Sequence, residues 1–218
     1  MNDATIIVLA KAPVPGLVKT RLCPPCTPVQ AADIARAAIG DTIAAVRATP
    51  GVRPLLVLDG APGDWLPRGV DVVPQVTGDL AVRIAGAFAA SDGPTVLIGM
   101  DTPQVTPTDL RGAVDTLLSP AVDAVLGPTV DGGWWIVGFR THHRDAFLDV
   151  PMSTTTTGAE QAARLHALGL TMRWLPSTTD VDTFGDAIAV ASTIPDTAFA
   201  GAVRQVEREL EPARREST

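Results

Sequence analysis

Seven short apolar runs recur along the chain and alternate with segments of helical character. The runs cover residues 4–10, 54–58, 70–73, 95–99, 122–126, 134–137 and 171–175. Short runs that alternate with helices in this way are typical of a mostly parallel sheet with helices on both faces. The sequence therefore predicts an α/β fold.

Helix boundary signals support this pattern. Thr27 before Pro28 predicts an N-cap followed by proline at the first helical position, and Thr106 before Pro107 repeats the arrangement. Gly169 follows a helical segment and predicts a C-terminal cap before the last strand.

Length and composition favour one globular domain with a polar end. The 218 residues are 46% hydrophobic and 19% charged, which allows a sizeable core. We expect a single domain over residues 1–202. Residues 203–218 hold four of the five glutamates, which predicts a solvated C-terminal helix with a frayed end.

Charge narrows the class of partner. The net charge of −7 opposes binding to nucleic acid or to an anionic membrane surface. No apolar run approaches the roughly 20 residues of a membrane span, and the start of the chain lacks the cations of a secretory signal. We expect a cytoplasmic protein that binds a small molecule, does not insert into a membrane and does not bind nucleic acid. Its oligomeric state is left open.

The only two cysteines are Cys23 and Cys26. A structural zinc site needs four ligands, and the chain has only three histidines, all distant in sequence. We therefore expect two ordinary thiols that bind no metal, and a regulatory disulfide between them stays open.

A basic loop, residues 11–21, directly follows the first predicted strand. In open α/β sheets, ligands bind outside the carboxyl ends of the strands, where this loop should lie. Lys11 and Lys19 are the only lysines among 17 basic residues, and Arg21 adds a third cation to the loop. Lysine serves as a point-charge phosphate ligand, so the loop predicts a phosphate site that is neither a Walker motif nor G-x-G-x-x-G. The alternative is a solvated loop whose cations balance an acidic protein.

Acidic residues follow two later segments. Asp101 lies two residues after the end of the fourth apolar run, where a carboxylate is well placed for Mg²⁺ or Mn²⁺. Its alternative role is to hydrogen-bond the turn ahead of Pro103. Asp180 and Asp182 face the same side if the chain is extended there. One of them could complete a metal site, or both could cap the helix that begins near Thr183.

Two further segments could line a ligand pocket. Paired glycines, Gly132 and Gly133, precede two tryptophans that could wall a base or a sugar, although a hairpin turn with core tryptophans is the commoner meaning. Residues 153–157 offer five hydroxyls for phosphate or acceptor contacts, or for helix capping.

Together these segments resemble a bacterial family of nucleotide-diphospho-sugar transferase-like proteins, related to 2-phospholactate guanylyltransferase and molybdenum-cofactor guanylyltransferase. The resemblance spans residues 6–187. It is carried, in order, by K-A-P-x-P-G-x-V-K-T-R-L at 11–22, G-x-D-x-P at 99–103, G-P-x-x-D-G-G at 127–133 and D-V-D-T at 180–183. The resemblance implies the single-domain GT-A fold.

The residues and the resemblance together give a set of expected site residues. We expect catalytic roles for Lys19 and Asp101, and the resemblance implies a metal, Mg²⁺ or Mn²⁺, at Asp101 with Asp182. The nucleotide and its phosphates would contact Ala10, Lys11, Gly16, Lys19, Thr20, Arg21 and Arg83. An acceptor or sugar pocket would comprise Asp131, Gly132, Gly133, Trp134, Ser153 and Thr154.

The implied activity is metal-dependent transfer from a nucleotide donor to a small-molecule acceptor. The donor would be a nucleoside triphosphate or a nucleotide-sugar. Proline at position 103, in place of the second Asp of an Asp-x-Asp motif, is closer to nucleotidyltransferases, whereas the family label favours glycosyl transfer. A nucleotide-binding relative without catalysis is the alternative.

Overall fold

The computed structural model describes residues 4–215, with side chains described as far as residue 210. Its seven strands are β1 (Ala4–Lys11), β2 (Val52–Asp59), β3 (Asp71–Pro74), β4 (Thr95–Gly99), β5 (Ala124–Pro128), β6 (Trp134–Phe139) and β7 (Met172–Trp174). They form one sheet in the order β3-β2-β1-β4-β6-β5-β7. Among the described residues, β6 is the one strand that runs antiparallel to its neighbours, and all other strand pairs are parallel. The predicted mostly parallel sheet is confirmed.

The helices begin and end close to the sequence signals. They are α1 (Pro28–Ala48), α2 (Leu80–Phe88), α3 (Pro107–Leu118), α4 (Thr157–Ala167), α5 (Phe184–Thr193) and α6 (Ala198–Arg215), with a short 3-10 helix at Thr20–Leu22. Thr27 and Thr106 are the N-caps of α1 and α3, each in a capping box. Gly169 follows α4 with a φ of 72°, which permits the left-handed turn that ends the helix.

Strand alternation sends side chains to two cores, one on each face of the sheet. In β1, Ile6 and Val8 pack with residues of α1 and α3, whereas Ile7 packs with residues of α2 and α4. Successive strand residues point to opposite faces, so each face needs its own cover of helices. The predicted helices on both faces are confirmed.

A further layer of helices corrects one expectation. Helix α6 packs on the outer side of α1, and α5 packs on α6 within the same apolar cluster. Helix α6 buries Phe199, Val203 and Val206 there. The expected solvated helix from residue 203 is therefore wrong for this face, because Phe199, Val203 and Val206, spaced four and three residues apart, form an apolar stripe that packs on the domain. Residues 216–218, in the predicted frayed end, lie outside the described residues.

The ends of the strands meet along one edge of the sheet, and the candidate site lies at this edge. The six parallel strands end there, and β6 begins there. A bridge between Thr129 and Thr178 brings residues 178–182 to the same edge. Within the described part of the chain, no helix is both long enough and apolar enough to cross a membrane.

Candidate active site

A cleft of about 470 Å³ opens at this edge of the sheet. Its walls come from the ends of β1, β2 and β4, the hairpin between β5 and β6, and the N-terminal turns of α2 and α4. A second cavity, of about 330 Å³, adjoins it beside the basic loop. The two share the lining residues Lys11, Arg21, Met100, Asp101, Ser153 and Asp182. Both the basic loop and the predicted metal ligands therefore face one continuous space.

The basic loop is anchored to this space by Lys19. Only 8% of the Lys19 side chain is exposed, and its ammonium pairs with the Asp101 carboxylate. The same ammonium donates a hydrogen bond to the carbonyl oxygen of Val181. A solvated loop would not bury its lysine, so the structure disfavours that alternative.

The other cations of the site also face carboxylates. Arg21 donates to Asp182 over 2.7 Å, although its side chain is 69% exposed. On the opposite side of the cleft, Arg83 donates to Asp59 over 2.9 Å, and the Lys11 ammonium lies 4.0 Å from the same carboxylate. Each cation is thus held at the cleft by an acidic partner.

Three aspartates form an acidic cluster across from the loop. Carboxylate oxygens of Asp131, Asp180 and Asp182 lie within 4.8 Å of one another. The backbone brings them together, because Val130 N–H donates to the carbonyl of Thr178 over 3.1 Å. Oxygen ligands at this spacing suit a hard divalent cation such as Mg²⁺ or Mn²⁺.

The pKa values of two carboxyls in the cluster shift in opposite directions. Burial, together with the charges of Asp131, Asp182 and Asp101, raises the pKa of Asp180 to about 6. The Thr129 hydroxyl, by contrast, donates to Asp131 over 2.5 Å and lowers the pKa of that carboxyl. Ionised Asp180 is therefore destabilised by burial and by the neighbouring carboxylates, and a bound cation would offset this effect.

Helix capping does not use this cluster. Thr183 is the N-cap of α5, and its hydroxyl accepts from the backbone N–H of Asp186. The Asp186 carboxylate in turn accepts from the N–H groups of Asp182 and Thr183. Other groups therefore make the contacts of the α5 cap, which leaves the carboxylates of Asp180 and Asp182 to the cleft.

Asp101 likewise faces the cleft. Its carboxylate pairs with Lys19, and its backbone carbonyl accepts from the N–H of Val181 over 2.8 Å. Its oxygens lie near enough to Asp180 to raise the pKa of that group. The predicted metal pair Asp101 and Asp182 thus borders the acidic cluster. The cluster itself contains Asp182 but not Asp101.

One of the two tryptophans lies in the core and the other lines the cleft, so each of the two roles considered from the sequence applies to one of them. Trp135 is buried in the core and donates from its indole nitrogen to the carbonyl of Pro176 over 3.0 Å. Trp134, at the start of β6, is half-buried and lines the cleft. The segment is both a hairpin with a core tryptophan and one wall of the site.

Most of the predicted pocket residues line the larger cavity. These are Asp131, Gly133, Trp134, Ser153 and Thr154.

Gly132 is the predicted pocket residue that lies outside the lining. Its carbonyl accepts from the N–H of Gly158 over 2.9 Å, and a Cβ there would lie 1.9 Å from the carbonyl oxygen of Thr155. Gly132 therefore holds the start of α4 against the hairpin.

The predicted nucleotide contacts are divided between the cavities. Ala10 and Arg83 line the larger one, and Thr20 lines the smaller one. Gly16 lies outside both linings and has a φ of 77°, so its position fits a backbone turn in the loop.

Asp59 and Gln75 are among the polar residues of the cleft that sequence reasoning missed. Asp59 ends β2, one residue beyond the predicted run, and the strand-end argument used for Asp101 would have found it. Gln75 follows β3 and donates its amide to the carbonyls of Ala10 and Val57 over 2.8 Å and 3.2 Å. No sequence pattern indicated that contact.

Residues 42–154, just over half of the chain, match a family described as an uncharacterized protein conserved in bacteria, DUF2064. The chain belongs to this family. Within the DUF2064 match lie Asp59, Asp101 and Asp131, whereas the basic loop and Asp180 lie outside it. No match is found among curated proteins.

Solved structures share the fold of this DUF2064 protein. A Desulfovibrio desulfuricans G20 protein, provisionally named a nucleotide-diphospho-sugar transferase, is 24% identical with a TM-score of 0.83 over 99% of this chain and 98% of its own. CMP:2-keto-3-deoxy-manno-octonic acid synthetase in complex with CTP is 14% identical with a TM-score of 0.59 over 88% and 98%. Rv0371C of Mycobacterium tuberculosis H37Rv in complex with manganese is 24% identical with a TM-score of 0.53 over 86% and 97%. The predicted nucleotide-diphospho-sugar transferase fold is confirmed.

Proposed function

We propose that this protein is a metal-dependent transferase that takes a nucleotide donor and a small-molecule acceptor. The observation that carries the proposal is one continuous cleft in which the cations of residues 11–21 face the carboxylates of Asp101, Asp131, Asp180 and Asp182. Cations suit phosphate oxygens, and carboxylates suit a divalent metal that also takes phosphate ligands. A nucleotide diphosphate or triphosphate with its metal satisfies both sets of charges.

The acidic cluster fits Mg²⁺ or Mn²⁺ by its chemistry. Asp131, Asp180 and Asp182 offer oxygen ligands, and burial together with the neighbouring carboxylates raises the pKa of Asp180. A divalent cation bound there would neutralise charge on the donor phosphates during transfer. The Rv0371C structure holds manganese on a similar fold, which agrees with this choice of metal.

The cations of the basic loop would neutralise further negative charge on the donor phosphates. Lys11, Lys19 and Arg21 line the smaller cavity and would contact phosphate oxygens of the donor there. Because Lys19 is nearly buried, its charge acts in a medium of low dielectric and is weakly screened by salt. Positive charge fixed beside the leaving phosphate would stabilise the transition state.

Between the two forms of transfer, the metal side of the cleft favours nucleotidyl transfer. Pro103 stands where an Asp-x-Asp motif would place its second carboxylate. The cationic loop lines the adjoining cavity of about 330 Å³, which could take a phosphate chain. In this reaction an acceptor phosphate would attack the α-phosphorus, and pyrophosphate would leave.

Glycosyl transfer is the second candidate, and the other end of the cleft favours it. Trp134 and Thr154 line the larger cavity there and not the smaller one, and Ser153 borders both. An aromatic face with nearby hydroxyls can bind a sugar ring. In this reaction the sugar would move to the acceptor, and the nucleoside diphosphate would leave.

Product analysis separates these reactions. Purified protein with Mg²⁺ or Mn²⁺ would be incubated with each nucleoside triphosphate plus a panel of sugar 1-phosphates and other small phosphorylated acceptors, and assayed for pyrophosphate. Parallel incubations with nucleotide-sugars and alcohol acceptors would be assayed for nucleoside diphosphate. Release that needs both metal and acceptor supports the proposal and names the donor class. Metal-independent nucleotide binding without product would instead identify a non-catalytic relative.

Asp101→Asn provides the active-site control for that assay. We expect it to abolish metal-dependent turnover and leave the fold intact, because it removes a charge without changing side-chain volume. Asp33→Asn is the matched variant, since Asp33 is exposed on α1 and pairs only with Arg36 among the described residues. Wild-type turnover by Asp101→Asn would exclude Asp101 from the mechanism.

A further inference from the structure

The two carboxylates assigned to the metal by the family resemblance both already have cationic partners. Asp101 pairs with Lys19, and Asp182 pairs with Arg21. Both partners belong to the basic loop, and the two carboxylates lie at the border between the two cavities. In this state the loop supplies the positive charge that a metal would otherwise bring.

The two ion pairs differ in how far water reaches them. The Arg21 and Asp182 side chains are 69% and 41% exposed, so water and salt screen their attraction. The Lys19 side chain is only 8% exposed, whereas its partner Asp101 is 45% exposed. Lys19 is therefore the strongly held counterion, and Asp101 remains open to the cleft.

The position of Lys19 depends on these contacts. Its backbone φ is 48°, in the left-handed region that residues other than glycine rarely adopt. Such a conformation persists when surrounding contacts determine it, and here the ammonium bonds the Val181 carbonyl as well as Asp101. A new partner for the ammonium would remove two of the contacts that hold the loop in this conformation.

We propose that Lys19 is an internal counterion that competes with the divalent cation for Asp101. In the protein without ligands, Lys19 neutralises Asp101 and weakens its affinity for metal. Donor phosphates give the ammonium another anionic partner, so Lys19 moves to them and releases Asp101. The inference rests on the proposed function, because it requires that the cleft take both a metal and a phosphate-bearing donor.

This proposal predicts opposite effects of Lys19 on the affinities for donor and for metal, which a lysine that only binds phosphate would not produce. Neutralising Lys19 should weaken binding of the donor but strengthen binding of metal alone, because Asp101 loses its competitor. Metal and donor both favour the state in which Lys19 has left Asp101. Each would therefore raise the affinity for the other, so the two would bind with positive coupling.

The test measures Mn²⁺ alone, without nucleotide. Metal-stripped wild type, Lys19→Gln and Lys11→Gln would be titrated with Mn²⁺ while free Mn²⁺ is followed by electron paramagnetic resonance. Glutamine at position 19 retains a donor for the Val181 carbonyl but has no charge. Lys11→Gln makes the same charge change on the same loop, at a lysine whose carboxylate partner is Asp59 instead.

We expect Lys19→Gln to bind Mn²⁺ at least about fivefold more tightly than wild type, in the range typical of coupled sites, and Lys11→Gln to change the affinity less. Equal or weaker Mn²⁺ binding by Lys19→Gln would overturn the inference, provided that its circular dichroism matches wild type. Wild type that binds both Mn²⁺ and nucleotide would then leave the proposed function standing. Wild type that binds neither would overturn both.

A second measurement follows the ammonium directly in the wild-type protein. The chain has only two lysines, so lysine labelled with ¹³C at the ε carbon gives two side-chain signals, assigned with Lys11→Gln. Saturation with diamagnetic Mg²⁺ should shift the Lys19 signal more than the Lys11 signal, as should inorganic pyrophosphate in EDTA. A Lys19 signal unchanged by saturating Mg²⁺ would contradict the competition.

Discussion

The backbone N–H of Val181 donates to the carbonyl oxygen of Asp101 over 2.8 Å. This bond joins the residues that follow β4 to a segment eighty positions further along the chain, and it sets Asp180 and Asp182 beside Asp101. Val181 itself is buried in the core formed by α1, α5 and α6. The arrangement of the acidic residues therefore depends on the fold as a whole, and several consequences can be measured.

Asp180 should destabilise the metal-free protein at neutral pH. Burial raises the pKa of Asp180 from 3.8 to about 6, so the folded state holds this proton more tightly than the unfolded state does. The free energy of unfolding therefore falls as pH rises from about 4 to about 6. In EDTA at pH 7, Asp180→Asn should be more stable than wild type by about 1 kcal/mol, after allowance for partial solvent screening.

Urea unfolding at pH 4 and pH 7 checks this sign. The stability difference between Asp180→Asn and wild type should be small at pH 4 and grow towards pH 7. The same variant should lose Mn²⁺ affinity. A difference that is independent of pH would contradict the electrostatic explanation.

Gln104 should act as a positioning residue for the acidic cluster. Its amide donates to the hydroxyl of Thr178 over 2.9 Å and to the carbonyl of Thr179, immediately before Asp180. Gln104→Ala should cost about 1 kcal/mol of stability and should weaken Mn²⁺ binding. Gln205→Ala, which removes an exposed hydrogen bond on α6, is the matched control. Unchanged Mn²⁺ affinity in folded Gln104→Ala would exclude this role.

Gly132→Ala should be strongly destabilising. The added Cβ would lie 1.9 Å from the carbonyl oxygen of Thr155, and the φ of 92° is unfavourable for alanine. We expect a loss of about 2–3 kcal/mol together with displacement of the start of α4. Gly112→Ala is the matched control, since its Cβ meets nothing within 4 Å and alanine favours the helix by about 0.5–1 kcal/mol. Equal stability of the two variants in thermal unfolding would contradict the close packing at Gly132.

The two cysteines should differ in reactivity. Both are free thiols in the structure, Cys23 partly exposed and Cys26 buried. Burial, with a smaller contribution from Cys23, raises the pKa of Cys26 to about 11, and the thiolate is the reactive form. With 5,5′-dithiobis(2-nitrobenzoic acid) at pH 8, the Cys26→Ser variant should react much faster than Cys23→Ser. Equal rates would show that Cys26 is accessible in solution.

The layers of the fold were predictable because they depend on local patterns. The apolar run at 95–99 predicts β4 residue for residue, and Thr27 with Pro28 predicts the start of α1. The burial of Val203 was not predicted, because the abundant charges of the C-terminal segment obscured its apolar stripe. Burial of one helix face depends on which other helix is available to cover it.

The candidate site was predictable in its parts but not in its pairing. The strand-end rule indicated Asp101, and the two lysines indicated the basic loop. The approach of Asp131 to Asp180 depends on the bridge between Thr129 and Thr178, which are 49 positions apart in sequence. The burial of Lys19 against Asp101 likewise depends on tertiary contacts that no local pattern encodes.

Metal-dependent nucleotide binding is the most direct test of the central claim. Thermal unfolding of purified protein would be measured with each nucleoside triphosphate and nucleotide-sugar, with Mg²⁺ or Mn²⁺ and again with EDTA, because a ligand that binds the native state raises the melting temperature. We predict stabilisation by one donor class that is largest with metal and is reduced in Asp182→Asn. No stabilisation by any nucleotide, or equal stabilisation in EDTA, would contradict the account.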